Sequence, residues 1–283
     1  MLIGRLEGLH SRRGRIAAAL VLGLCGTLLP GQALAQTGGR EGWIAGMFGD
    51  EASLLLGAGG MLKPDYEGAR SLTLDPVPVV ELQDLFGGRL FISTVDGIGV
   101  NVLRSGPLKV VAAVNHDGGR DSGDNGRLRG TDKIEGAALV YAALDYDLDP
   151  FSTTVQVSHR LGDDSGTRLT LGAAYGFSPV ADLDLSVAAG ATFANGRYAN
   201  TFHGVTPAEA ARASAAGNPL RAYKAGGGIH DVGLELSGTY SFDEHWLLRG
   251  QIGASWLLGD AADSPLTERT LQPSAFLGLA YRF

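Results

Sequence analysis

The chain closes on Ser274-Ala275-Phe276-Leu277-Gly278-Leu279-Ala280-Tyr281-Arg282-Phe283. Alternate positions Ala275, Leu277, Leu279, Tyr281 and Phe283 make one apolar face. Ser274, Gly278, Ala280 and Arg282 make the other, small and polar. Successive side chains of a strand point to opposite faces, so this pattern describes a strand with lipid on one side and a watery lumen on the other.

The same alternation recurs upstream. Leu183, Leu185, Val187, Ala189, Ala191 and Phe193 share one face, opposite Asp184, Ser186, Ala188, Gly190 and Thr192. Over 245–258, Trp246, Leu248, Ile252, Ala254, Trp256 and Leu258 point one way, and His245, Arg249, Gln251 and Ser255 the other, with a Trp near each end as in membrane-interface girdles. A soluble barrel or sandwich fills its interior with large apolar side chains; a second face of Gly, Ala, Ser, Thr and charge cannot form such a core. Segment 134–148 reads as a further strand, with Ile134, Gly136, Ala138, Val140, Ala142, Leu144 and Tyr146 on one face. Segment 72–82 carries Pro76 and Pro78, which cannot donate to a ladder, so this strand is expected to be bulged or irregular.

These readings predict an all-β, antiparallel transmembrane barrel of about twelve strands over 52–283, with both termini in the periplasm. Counting back from a periplasmic C-terminus puts the connections at 63–71, 95–96, 116–133, 161–166, 194–231 and 259–269 outside, and the short turns in the periplasm. The longest outer connection holds one expected helix, with Thr206 as N-cap, Pro207 at its first position and Glu209 completing a capping box. That loop is also a candidate lumen plug.

The N-terminus supports export. Arg5, Arg12, Arg13 and Arg15 precede an apolar run over 16–29, and Ala33-Leu34-Ala35 before Gln36 is an A-x-A cleavage site. Residues 1–35 are therefore expected to be a secretory signal, and 36–51 a periplasmic segment. The only cysteine, Cys25, lies within the signal, so no thiolate site is expected in the mature chain. The signal carries four Arg and one Glu, and its loss takes the formal charge from −7 to −10. Such an acidic chain argues against nucleic acid as a partner.

Catalytic and metal signals are weak. His116, His159, His203, His230 and His245 show no H-x-x-x-H spacing, and neither metal nor cofactor is expected. His159 with Asp163 and Asp164 suggests a rim hydrolase at most, because loop Asp residues are normally turn formers. Asp117, Asp121, Asp124 and Asp132 read as a solvated charge run. Gly226-Gly227-Gly228 reads as flexibility or close strand packing, and Ser264 lacks a nucleophile elbow. No catalytic residue is assigned.

Several boxes carry a family resemblance. The terminal Phe283, with Tyr281 and Gly278 before it, resembles the C-terminal sorting signal of bacterial outer-membrane barrels, which engages the barrel-assembly machinery. Pro64-Asp65-Tyr66-Glu67-Gly68, then Phe202-His203-Gly204-Val205-Thr206, then Gly259-Asp260-Ala261-Ala262-Asp263-Ser264-Pro265 resemble, in order and spacing, the boxes of the MipA/OmpV family of MltA-interacting proteins. In the second box His203 stands where the family usually has an aromatic residue. The resemblance spans essentially the whole mature chain. It implies an outer-membrane, non-enzymatic barrel, and a scaffold linking a lytic transglycosylase to a penicillin-binding protein in murein synthesis. A small-solute channel or a surface adhesin or antigen is the alternative.

Overall fold

The computed structural model describes residues 52–283; the signal-peptide, cleavage-site and 36–51 readings lie outside the described residues. Twelve strands close into one antiparallel barrel: β1 Ser53–Pro64, β2 Leu72–Asp84, β3 Leu90–Ser93, β4 Gly97–Ser105, β5 Leu108–Asp117, β6 Ala137–Leu148, β7 Phe151–Arg160, β8 Gly166–Val180, β9 Leu183–Ala194, β10 Gly228–Ser241, β11 Trp246–Leu257 and β12 Leu271–Arg282. Each strand pairs with its sequence neighbours, and β12 pairs with β1 from Leu55↔Arg282 to Leu62↔Ala275. Closure satisfies the backbone polar groups in lipid, as a membrane span requires. Among the described residues no helix is long and apolar enough to cross a membrane. The connections 65–71, 94–96, 118–136, 161–165, 195–227 and 258–270 gather at one end, and short turns at the other.

The inside–outside alternation holds. Ile252 (59 %) and Leu277 (60 %) are exposed on the outer wall, while Leu247, Arg249, Ser186, Thr192 and Ser237 face inward and are buried. The terminal strand departs in one detail. Phe276 joins its inner face, packing against Leu55, Val79, Leu247 and Ala280. Glycines opposite make the room: a Cβ at Gly59 would lie 2.7 Å from the Phe276 ring. A second inner cluster, Phe91, Val111, Ala113, Tyr141 and Ala143, thickens the β3–β6 wall. At the short-turn end, stacked or edge-on rings of Phe151, Tyr175 and Phe177, and of Trp246, Tyr281 and Phe283, form an aromatic girdle.

Two strand expectations need correction. Ile134 and Gly136 lie before β6; Ile134 forms an isolated bridge to Arg120 and is buried against Ala194, Tyr198 and Phe202. β2 is not bulged against β1, since its register runs unbroken from Ser53↔Gln83 to Pro64↔Leu72. The prolines act on its other edge. β2 meets β3 at only Glu81↔Ser93 and Leu82↔Ile92, and the Val80 N–H reaches the Thr94 hydroxyl on that side. Alternate residues direct their backbone to the same side, so Pro76 and Pro78 face the unpaired stretch, where a missing donor costs nothing.

Candidate functional site

The long loops fold into a roof over the barrel mouth. Tyr66 and Ala69 from 65–71, Leu128 from 118–136, Val205, Ala213 and Leu220 from 195–227, and Leu266 from 258–270 form one buried cluster. Leu128, Leu266 and Ala213 are fully buried; each large aliphatic side chain stabilises such a core by about 1.5–3 kcal/mol. The 195–227 segment holds two helices rather than the one expected, α1 Gly196–His203 and α2 Pro207–Ala215, and a short turn of helix, α3 Gly259–Ala262, sits in 258–270. The Asn195 side chain caps α1 by accepting from the Tyr198 N–H. The capping box of α2 forms as expected: Thr206 Oγ1 accepts from the Glu209 N–H at 3.2 Å, and Glu209 Oε2 accepts from the Thr206 N–H at 2.7 Å. Glu209 Oε1 also accepts from the Asp132 N–H, tying α2 to the 118–136 loop.

The boxes quoted for the family meet in this roof. The Tyr66 hydroxyl donates to the Leu266 carbonyl at 2.8 Å, and the Gly68 N–H to Gln272 Oε1 at 2.9 Å. Gly68 has φ +104° and a Cβ there would lie 2.9 Å from Thr267 Oγ1, so turn and contact both need glycine. Pro64 ends β1. The Gly204 N–H closes α1 on the Asn200 carbonyl, and Val205 bridges Tyr223. Ser264 Oγ donates to the His203 carbonyl at 2.7 Å, the Pro265 carbonyl accepts from Arg127, and Arg221 donates to the Asp263 carbonyl. The Asp260 carboxylate accepts from the Gly226 N–H, and Gly259 has φ +50°. Gly278, Tyr281 and Phe283 sit instead on β12 and its end, where the Phe283 N–H donates to the Leu54 carbonyl.

Beneath the roof lies a polar cluster absent from the sequence reading. His203 ends α1, His230 and Asp231 open β10, and Glu67 comes from 65–71. The two histidine Nε2 atoms are 3.1 Å apart. Glu67 Oε2 is 3.4 Å from His203 Nε2, and its Oε1 is 3.7 Å from His230 Nε2. His230 Nδ1 meets Asp231 Oδ2 at 2.9 Å. His203 Nδ1 is buried without a partner among the described residues. Neighbours on a strand should face opposite sides, yet His230 (2 %) and Asp231 (1 %) are both buried. The cause is a register shift between Ile229 and Asp231 against β9, a rim bulge that turns His230 inward.

Burial lowers the His203 pKa below its ordinary value, which favours the neutral imidazole. Burial alone would raise the Glu67 carboxyl; His230 and the contact from His203 outweigh it and hold the group well below the usual carboxylate range. Tyr198, stacked on Phe202 and facing the Arg168 guanidinium, is pushed up by burial. Arg120, lowered by burial, donates to the Phe202 carbonyl. Glu67, Arg120, Arg168 and Tyr198 line a cavity of about 340 Å³ that runs down past Glu235 and Ser255.

The hydrolase candidates are not brought together. His159 is exposed on β7 with Thr167 Oγ1 as its partner at 2.9 Å, and backbone carbonyls of Asp163 and Asp164 bond Arg197 and Arg160. In the acidic run, Asp117 and Asp121 accept from the backbone two residues on, as turn formers do.

The family profile described as "MltA-interacting protein MipA" matches residues 56–283. The chain belongs to this family. It is an outer-membrane barrel protein. Solved structures of similar shape include the translocator domain of the autotransporter NalP from Neisseria meningitidis, at 11% identity and TM-score 0.42, covering 86% of this chain and 94% of that one. OmpT of Vibrio cholerae gives 10% identity and TM-score 0.39, covering 82% and 97%. The N-terminal barrel of Pseudomonas aeruginosa OprF gives 15% and 0.28, covering 62% and 98%. No curated protein sequence matches the chain.

Proposed function

We propose that this MipA family member is a non-enzymatic scaffold whose working surface is its periplasmic rim, where it holds a lytic transglycosylase beside a penicillin-binding protein. The family description supplies the first partner. The observation that carries the reading is the charge of the rim. Asp149 in the β6–β7 turn, Asp182 in the β8–β9 turn, and Asp243 and Glu244 in the β10–β11 turn are all exposed, an acidic arc on successive turns. Such an arc steers a partner with a basic face and fixes its orientation. A stable complex needs ~800 Å² per partner, and segment 36–51, expected from the sequence to be periplasmic, is proposed to contribute to it. The roofed cavity is the observation behind the second reading, a barrel that takes up a small charged solute.

Substituting Asp149→Lys, Asp182→Lys and Glu244→Lys together should reduce crosslinked capture of a purified lytic transglycosylase at least ~10-fold at low salt, with the barrel still inserted. Undiminished capture by the triple variant would remove the rim from the account.

A further inference from the structure

We propose that Glu67, His203 and His230 form a binding site for a divalent transition-metal ion of the zinc class, which clamps the roof to the barrel wall. Three side-chain donors converge from three separate elements: a loop between β1 and β2, the end of α1, and the bulge of β10. A tetrahedral ion with bonds of about 2.0–2.1 Å separates its ligands by roughly 3.3–3.4 Å. The 3.1 Å between the two Nε2 atoms and the 3.4 and 3.7 Å from Glu67 bracket that spacing. Two imidazoles and a carboxylate without sulfur suit zinc, cobalt or nickel better than calcium or magnesium, which prefer all-oxygen shells.

The surroundings fit as well. Asp231 holds His230 Nδ1, the carboxylate–histidine arrangement that fixes a metal-bound imidazole with its Nε2 toward the ion. The rim bulge exists at the residue that must turn inward for the site to form. Glu67 also lines the cavity, so one of the three ligands borders a space large enough for water or a small ligand. The acidic run 117–132 does not compete, because its carboxylates are engaged in local turns and an Arg212 contact.

The test is zinc binding by the full barrel extracted from outer membranes, stripped with chelator, and titrated with Zn²⁺ against a chromophoric competitor. Cobalt serves as the absorbance probe of coordination geometry. The site predicts one Zn²⁺ per chain and a tetrahedral cobalt spectrum. Glu67→Gln should weaken binding at least ~10-fold and His203→Ala with His230→Ala abolish it. Asp231→Asn, which removes no ligand, should weaken it ~10–100-fold. His116→Gln with His245→Gln should leave it unchanged. If the double histidine variant fails to fold, the Glu67→Gln variant, which keeps the side-chain shape, decides. Absence of stoichiometric zinc in the wild-type barrel, or wild-type affinity in folded Glu67→Gln, overturns the proposal.

Discussion

Replacing Arg249 with Met should destabilise the barrel by about 3–5 kcal/mol. Arg249 on β11 contacts the Glu81 carboxylate on β2, across the two intervening strands, and their side chains are 11% and 4% exposed. The apolar cluster of Leu55, Val79, Leu247 and Ala280 lies in the same four strands. Removing the guanidinium leaves a buried carboxyl without its principal partner, which must stay charged and unpaired or take up a proton, and either state costs stability. The Arg249→Met, Glu81→Gln double variant removes the charge as well. It should recover at least ~1 kcal/mol of the loss. Urea unfolding in detergent, followed by Trp fluorescence, measures both. Equal losses in the single and double variants would show that packing, not charge, governs this site.

The second large effect separates the two faces of β11. Arg at Ile252 should cost ~2–4 kcal/mol, because a charge at the lipid face near the midplane is strongly disfavoured. Arg at Gln251 should cost less than ~1 kcal/mol, since that position faces the lumen, where Gln251 Nε2 donates to Glu235 Oε2 at 2.7 Å. One residue of register separates the two substitutions. Similar costs in the same unfolding assay would mean that the register of β11 against β10 and β12 is wrong.

Much of the barrel was legible because lipid on one side and a polar lumen on the other impose a period of two on nearly every strand. The pattern around Ile252 and Leu277 needed no tertiary knowledge. Ile134 mimics a strand position because its apolar character serves the roof, which follows no period. The inward place of Phe276 is not legible in its own strand, because only a neighbouring strand's glycines make room for it. The missing donors of Pro76 and Pro78 are visible in the sequence, but the shortness of β3 that leaves that edge free is not. At the roof, local signals worked: the capping box of α2 is contained within four residues. The Asn195 cap of α1, with Tyr198 and Phe202 four apart, is an equally local signal. The Glu67, His203 and His230 cluster had no such signal. Its members are far apart in sequence, and the bulge that joins them is a property of strand pairing. The one hint was Gly226-Gly227-Gly228 just upstream, where a Cβ at Gly227 would lie 2.6 Å from the Gly196 backbone nitrogen.

The mouth at the long-loop end is closed by the barrel's own loops, and the proposed function assigns the work to the opposite rim rather than to the lumen. Single-channel conductance in planar bilayers tests this most directly, comparing the full chain with a variant lacking 200–220. That deletion removes Val205, Ala213 and Leu220 from one buried cluster and Phe202 from another, while leaving every strand intact. A twelve-stranded wall is wider than the eight-stranded barrels that side chains alone can fill. The full chain should therefore conduct little, and the shortened one should give larger, stable openings with insertion confirmed by protease protection. Equal conductance in the two, or wide openings in the full chain, would contradict the closed mouth.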